Sequence, residues 1–128
     1  MIDNIYDGVY PTMVTPFTKD NNIDFPAVER LVNWYASKGV SGIFAVCQSS
    51  EMFFLSIEER VALVRFIRRH LPKGLVLIAS GHVADTMEEQ VSDAEKMIAE
   101  GIDAYVFLSN RFARADETDF VMLERMFE

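Results

Sequence analysis

Four times along the chain an apolar run gives way to a polar loop and then to an amphipathic stripe. Val9 to Phe17, VYPTMVTPF, is rich in β-branched and aromatic residues, and predicts a strand that runs into a proline-ended loop. Asp24 ahead of Pro26 marks a helix start, and Val28, Leu31, Val32 and Tyr35 recur at helical spacing until Gly39. Val40 to Val46 is the uninterrupted apolar run of a strand covered on both faces. Ser56 followed by Glu59 forms a capping box, so a helix is expected from about Ile57 to Leu71, with Pro72-Lys73-Gly74 as its stop. Its inward positions read as Ile57, Val61, Val64 and Leu71. The third unit is a strand from Leu75 to Ala79, a loop from Ser80 to Ala84, and a helix from near Thr86 to Gly101 with Met87, Val91, Ala94 and Ile98 inward. The fourth is a strand from Ala104 to Leu108, a loop to Ala115, and a helix from about Asp116 with Phe120, Leu123 and Phe127 on one face.

Strands that alternate with helices predict an α/β fold with a parallel sheet. The segments 39–44, GVSGIF, and 101–107, GIDAYVF, are near-copies that each follow a helix. Gly39, Gly74 and Gly101 punctuate the chain at intervals of roughly thirty residues, the size of a βα unit. No linker or shift in composition divides these units. Four units alone leave two apolar sheet edges, and the run AYVFL at 104–108 has neither charge nor proline to blunt one of them. A (β/α)8 barrel takes about 250 residues, so the 128 residues of this chain are expected to be the first half of one.

The charge balance narrows the partners. A net charge of −8 argues against nucleic acid, whose phosphates such a surface repels. Arg65, Arg68 and Arg69 read as the solvated face of a helix. One cysteine precludes a disulfide framework within the chain. No stretch is apolar for long enough to span a bilayer, and Met1-Ile2-Asp3-Asn4 does not resemble a secretory leader, so a cytoplasmic location is expected.

The candidate chemistry lies at Cys47-Gln48-Ser49-Ser50-Glu51, where the second strand turns polar at once. In parallel α/β folds ligands bind at the carboxyl ends of strands, which makes the small hydroxyls there site candidates. Glu51 reads as structural, bonding loop amides, and Cys47 as a small core residue, since no histidine is near it in sequence. His82 follows the third strand but has no second ligand beside it, so it reads as structural and no metal site is expected. Phe53-Phe54 reads as packing under the loop or at a subunit contact, and Trp34-Tyr35 as helix-to-sheet packing. The sequence contains no phosphate-binding glycine loop and no Cys/His spacing, so no cofactor is expected.

From about Gly8 onward the chain resembles the dihydrodipicolinate synthase / N-acetylneuraminate lyase family of Schiff-base aldolases. The resemblance rests on the opening GVYPTMVTPF, on GVSGIF followed by Cys47–Glu51 where the family has Gly-[Thr/Ser]-Thr-Gly-Glu, and on Leu55–Arg60, LSIEER. It implies the TIM (β/α)8 barrel fold, with residues 1–128 as the N-terminal half of one barrel domain. It also implies a homo-oligomer, a pyruvate or other 2-keto acid substrate, and an imine formed by a lysine on a later strand. Position by position, Ser49 matches the second hydroxyl of the family loop, Gln48 stands for the first, and Ser50 and Cys47 replace its glycines. Thr12 and Thr15 lie on the approach of the first strand. Ser109-Asn110-Arg111-Phe112 stands where the family often has Pro-Tyr-Tyr, and Arg111 or Arg114 is expected to offer a substrate carboxylate a planar fork. Gln48 cannot relay a proton as a hydroxyl does, which points away from the synthase reaction and toward a related lyase or aldolase. Lys19, Lys38, Lys73 and Lys96 fall on a turn, on helices and ahead of a strand, so the imine lysine is expected outside this chain. The alternative is a non-catalytic half-barrel that self-associates or assembles with a full-length relative.

Overall fold

Each helix begins where the sequence offers an oxygen to its first turn. The computed structural model describes residues 6–127; the leader reading at Met1–Asn4 and the last residue, Glu128, lie outside them. Helix α1, Phe25–Ser37, is capped by Asp24, which accepts the Ala27 N–H at 3.0 Å. Helix α2, Ile57–His70, carries the full capping box: Ser56 Oγ accepts from Glu59 N–H at 3.2 Å, and Glu59 Oε2 accepts from Ser56 N–H at 2.8 Å. Thr86 caps α3, Met87–Ile98, and Thr118 caps α4, Asp119–Met126. Helix α4 starts later than Asp116 because Glu117 is used before it, accepting the Arg114 N–H at 2.7 Å and pairing with Arg125 at 2.6 Å.

Between the helices run three parallel strands in the order β1 (Gly42–Phe44), β2 (Val76–Ala79) and β3 (Ala104–Tyr105), with Gly42 opposite Val76 and Ile78 opposite Ala104. Single ladder bonds extend these short cores: Ala45 N–H reaches Ile78 O and Ser80 N–H reaches Val46 O, both at 2.9 Å. The strand expected over 9–17 is reduced to one parallel bridge, Thr12 to Phe44. Pro11 has no N–H to give, and beyond Thr15 the chain turns so that Phe17 bridges Ile23 in the antiparallel sense. The segment still lies beside β1, since Val9 O and Pro11 O accept from Ser41 and Phe44 at 2.9 Å. The four extended segments therefore lie in chain order, as the repeating pattern predicts.

One side of this sheet is buried and the other is open. Ile43, Ala45, Leu77 and Ala79 alternate toward a core completed by Val28 and Val32 of α1, Leu63, Val64 and Ile67 of α2, and Met97 of α3. On the opposite side Thr12 and Val14 are exposed, and Phe44 and Ile78 only half-buried. Gly42 sits where a Cβ would collide with the Val76 carbonyl and the Tyr10 ring, so β1 and β2 approach closely only because that position is glycine. The principal contacts join neighbours in sequence: β1 with β2, β2 with β3, α1 with α2, and α2 with α3.

Two apolar faces differ from expectation. In α3 the buried residues are Gln90, Asp93, Ala94 and Met97, whereas Met87, Val91 and Ile98 are 38%, 48% and 43% exposed. The helix is rotated because Asp93 must meet Arg60 of α2, whose side chain is 5% exposed and whose Nη2 lies 3.2 Å from Asp93 Oδ2. In α1, Tyr35 packs on the core while Trp34 is exposed, with the Lys38 ammonium over its ring at 5.6 Å. Arg65 and Arg68 are not a merely solvated face either: they reach Glu100 at 2.6 Å and Asp103 at 3.0 Å.

Candidate active site

Val46 ends the β1 ladder in a conformation that its branched side chain disfavours, with φ at +44° while fully buried. That reversal aims the chain into the 3-10 turn Gln48–Ser50. Glu51 leaves the turn in the left-handed region, φ +62°, and leads into a second 3-10 turn, Met52–Phe54. The two positive φ values of the segment fall on Val46 and Glu51, each one residue outside Cys47 and Ser50. The side chain of Glu51 is exposed and makes no hydrogen bond among the described residues, so its structural contribution is this backbone bend, not the bonding of loop amides.

Beneath the turn lies a small polar brace. Thr15 Oγ1 donates to Ser50 O at 2.8 Å, Ser50 Oγ donates to Met13 O, and Cys47 Sγ lies 3.2 Å from Ser50 Oγ. Thr15, Cys47 and Ser50 are all buried, so these groups tie the first extended segment to the turn. Cys47 is thus a core residue, as its sequence setting suggests. Gln48 and Ser49 face outward and exposed, and their amides, at the start of the turn, have no partner among the described hydrogen bonds. Thr12 stands apart from this brace, exposed on the open side of the sheet, with its carbonyl 3.4 Å from the Tyr35 hydroxyl.

His82 and Arg111 come together on the neighbouring loops. His82 is fully buried; its Nε2 accepts the Leu108 N–H at 2.8 Å, and its ring stacks on Phe112 at 5.3 Å between centroids. With Nε2 accepting, the proton is assigned to Nδ1, 3.4 Å from Ser80 Oγ. Burial, with added repulsion from the Arg111 and Arg60 guanidiniums, lowers its pKa below the ordinary range. His82 is a neutral clamp between the loops after β2 and β3, in keeping with a structural reading. Beside it burial pushes the Tyr105 phenol up to about 12, and its hydroxyl has no partner among the described residues.

The fork expected of Arg111 is already engaged. Its Nη2 donates to Val83 O at 2.7 Å and to Ala84 O at 3.3 Å, its guanidinium lies 5.7 Å from the Phe53 ring centroid, and its Nε is closed off from solvent. Phe53 and Phe54 do not pack under the loop; Phe54 is 82% exposed. The Arg60–Asp93 pair leaves little trace in the sequence. Its only signal there is an arginine inside an amphipathic helix, and nothing in the pattern names its partner.

The lowered His82 pKa makes stability depend on pH. Once unfolded, the imidazole takes up a proton as pH falls through about 6.5, while the folded ring stays neutral. The unfolded state then binds more protons, so stability is expected to drop progressively from that point down to the lowered folded value. Urea midpoints between pH 7.5 and 5.5 should fall more steeply for the parent chain than for His82→Gln. Parallel slopes would show that His82 does not carry the effect.

A family model described as the dihydrodipicolinate synthetase family matches residues 6–119. Among curated relatives, a 4-hydroxy-tetrahydrodipicolinate synthase of Idiomarina loihiensis is 33% identical over 99 residues, which cover 77% of this chain and 33% of the relative. An uncharacterized DapA-like lyase of Pyrococcus furiosus is 33% identical over 115 residues, 89% of this chain and 38% of that protein. Among solved structures, the N-acetylneuraminate lyase of Mycoplasma synoviae superposes with a TM-score of 0.66 at 27% identity, covering 80% of this chain and 37% of the lyase. A dihydrodipicolinate synthase structure gives a TM-score of 0.71 at 30% identity, covering 78% of this chain and 34% of its own. The chain spans about a third of the length of the curated relatives it matches. Its fold is that of the TIM (β/α)8 barrel family, of which it holds roughly the first four βα units.

Proposed function

The chain belongs to the dihydrodipicolinate synthetase family, and on that footing we propose that it supplies the carboxylate-holding side of a Schiff-base lyase or aldolase acting on pyruvate or another 2-keto acid. In this reading residues 1–128 are the N-terminal half of one barrel domain in a cytoplasmic homo-oligomer. The observation that carries it is the exposed pair Gln48 and Ser49 opening the turn at the carboxyl end of β1, held from below by Thr15 and the buried Ser50.

The substrate carboxylate would lie against the Gln48 and Ser49 amides, where the open end of a helical turn favours negative charge, with the Ser49 hydroxyl as a further donor. A lysine amine from another part of the barrel attacks the ketone carbon, and water leaves as the imine forms. In the cleavage direction the protonated imine accepts the electron pair of the breaking carbon–carbon bond, while the substrate hydroxyl loses its proton and its fragment departs as an aldehyde. The enamine is reprotonated at carbon, and water hydrolyses the imine to free the keto acid and the lysine. Bond formation runs these steps in reverse. Ser49 is the hydroxyl of this chain placed to hold or pass a proton at the keto acid. Gln48 can only donate and accept hydrogen bonds, so a relay through that position is closed. Thr12 would line the floor of the open face, and Ser50 and Thr15 would act through the turn they secure. Arg111, with its Nη2 committed to loop carbonyls, is a supporting residue in this reading and not a second carboxylate fork.

Titration with pyruvate, followed by amide resonances, tests the reading. The Gln48–Ser50 amides are expected to shift, and Ser49→Ala to weaken binding by roughly 10-fold or more, the loss of one hydrogen bond to a charged group. If the turn does not respond, or if Ser49→Ala binds like the parent, the carboxylate is not held there. A second reading, a non-catalytic half-barrel that self-associates, draws on the apolar side chains left exposed on the open face and edge, Val14 and Phe107 among them.

A further inference from the structure

Three loops at the carboxyl ends of the strands meet at one guanidinium. Arg111 belongs to the 3-10 turn Ser109–Arg111 that follows β3. Its Nη2 donates to Val83 O at 2.7 Å and Ala84 O at 3.3 Å, both in the loop after β2. Its guanidinium carbon lies over the ring of Phe53, in the turn after β1, at 5.7 Å from the centroid. Helix α3 closes the arrangement from behind: Gln90, itself buried, donates from Nε2 to Ala84 O at 2.8 Å and to the backbone carbonyl of Arg111 at 3.4 Å.

We propose that Arg111 is a positioning residue that fixes the Gln48–Phe54 segment against the loops after β2 and β3, and so sets the geometry in which that segment meets its ligand. The role in binding rests on the proposed function; the role in holding the loops does not. Three features support it. The backbone bonds of the segment after β1 close within it, as in Ser50 N–H to Cys47 O, Glu51 N–H to Gln48 O and Phe54 N–H to Glu51 O, and its side-chain ties to the first extended segment run through Thr15 and Ser50, not through Phe53. Its outer residue Phe53 is 44% exposed and meets the Arg111 guanidinium across the gap to the loop after β3. The two carbonyls after β2 take their hydrogen bonds from Arg111 and Gln90, so removal of the guanidinium leaves Val83 O without its donor. Lysine is a poor substitute: it can reach one carbonyl, but it has no planar face to lay on Phe53.

Native-state hydrogen exchange on the full chain separates this role from a general contribution to stability. Arg111→Met is expected to speed exchange of the Ser50, Glu51, Met52 and Phe54 amides by roughly tenfold, since a cation–π contact and a charged hydrogen bond are lost together. Amides in the middle of α2, such as Val64, should keep their protection, and Arg111→Lys should fall between the parent and Arg111→Met. In a parallel pyruvate titration, affinity should drop in step with the opening of the turn and recover in part with lysine. Should Arg111→Met fail to fold, Arg111→Lys carries the comparison, with a smaller change of the same sign in the same amides. Turn amides that exchange at the parent rate would overturn the proposal, as would a rise spread equally over the turn and α2. A parent chain indifferent to pyruvate would remove the proposed substrate class and leave the exchange result to decide the positioning role alone.

Discussion

Asp93→Ala is expected to cost the fold on the order of 3–5 kcal/mol, the penalty for leaving a buried charge without its partner. Arg60 is confined on every side: its Nε donates to Ser56 O at 3.3 Å, its Nη1 to Gly81 O, and its Nη2 to Asp93 Oδ2 at 3.2 Å. The Arg60 side chain is the more deeply buried of the two, so the orphaned charge falls on the group with less access to water. For a domain of this size such a loss lowers the melting temperature by roughly 10–15 °C. The double variant Arg60→Met/Asp93→Leu should recover much of it, because the penalty belongs to the orphaned charge and not to the absence of a salt bridge. Thermal or urea denaturation of both single variants and the double variant tests this as a cycle. An Asp93→Ala chain within about 1 kcal/mol of the parent would mean that Arg60 finds another way to discharge. The pair also holds the carbonyl of Gly81, next to His82, so its loss should reach the loop after β2.

Treatment with pyruvate and borohydride is expected to label no single lysine of this chain. Borohydride reduces an imine to a stable amine, so a competent lysine keeps the added mass while the others stay unmodified. None of the four lysines lies on the turn after β1 or bonds to it among the described contacts. Lys19 is exposed in the turn before α1, and Lys38 caps the far end of that helix over Trp34. Lys73 lies ahead of β2, at the amino-terminal side of the strands, and Lys96 pairs with Asp93 on α3 at 3.6 Å. The same residues joined to the remaining units of a barrel should take one adduct on one lysine. Mass spectrometry after proteolysis distinguishes the two preparations. A specific adduct on any of these four lysines would reject the reading in which the amine comes from elsewhere. No adduct in either preparation would favour the non-catalytic half-barrel.

What the sequence disclosed about the fold was local. Asp24, Ser56, Thr86 and Thr118 each sit within a turn of the amide they cap, so their role is written into a few consecutive residues. The parallel order followed from the alternation of strands and helices. The face of α3 was not legible, because its apolar stripe, Met87, Val91 and Ile98, competes with a demand made by Arg60 from another helix. The first strand is shorter than its composition implies, since Pro11 removes a ladder donor from an otherwise strand-like run. At the site, the burst of polar residues after β1 was visible, and so was the burial of Cys47. The left-handed Val46 was not, because a branched residue argues against the conformation it adopts. Nor was the engagement of Arg111, which depends on the carbonyls of a loop more than twenty residues away.

The nearest-neighbour pattern of packing has a consequence for how the molecule comes into being. Because each strand and helix is rewarded chiefly by the unit before or after it, little loop-closure entropy stands between the chain and its first stable contacts. Structure can nucleate in the middle, around β1, α2 and β2, and propagate outward one unit at a time, as in a repeat protein. During synthesis, the unit already formed serves as the template for the next one to emerge. The same property makes cooperativity uneven: the outer units, each held from one side, should open before the centre does, as partial unravelling and not as a single global event.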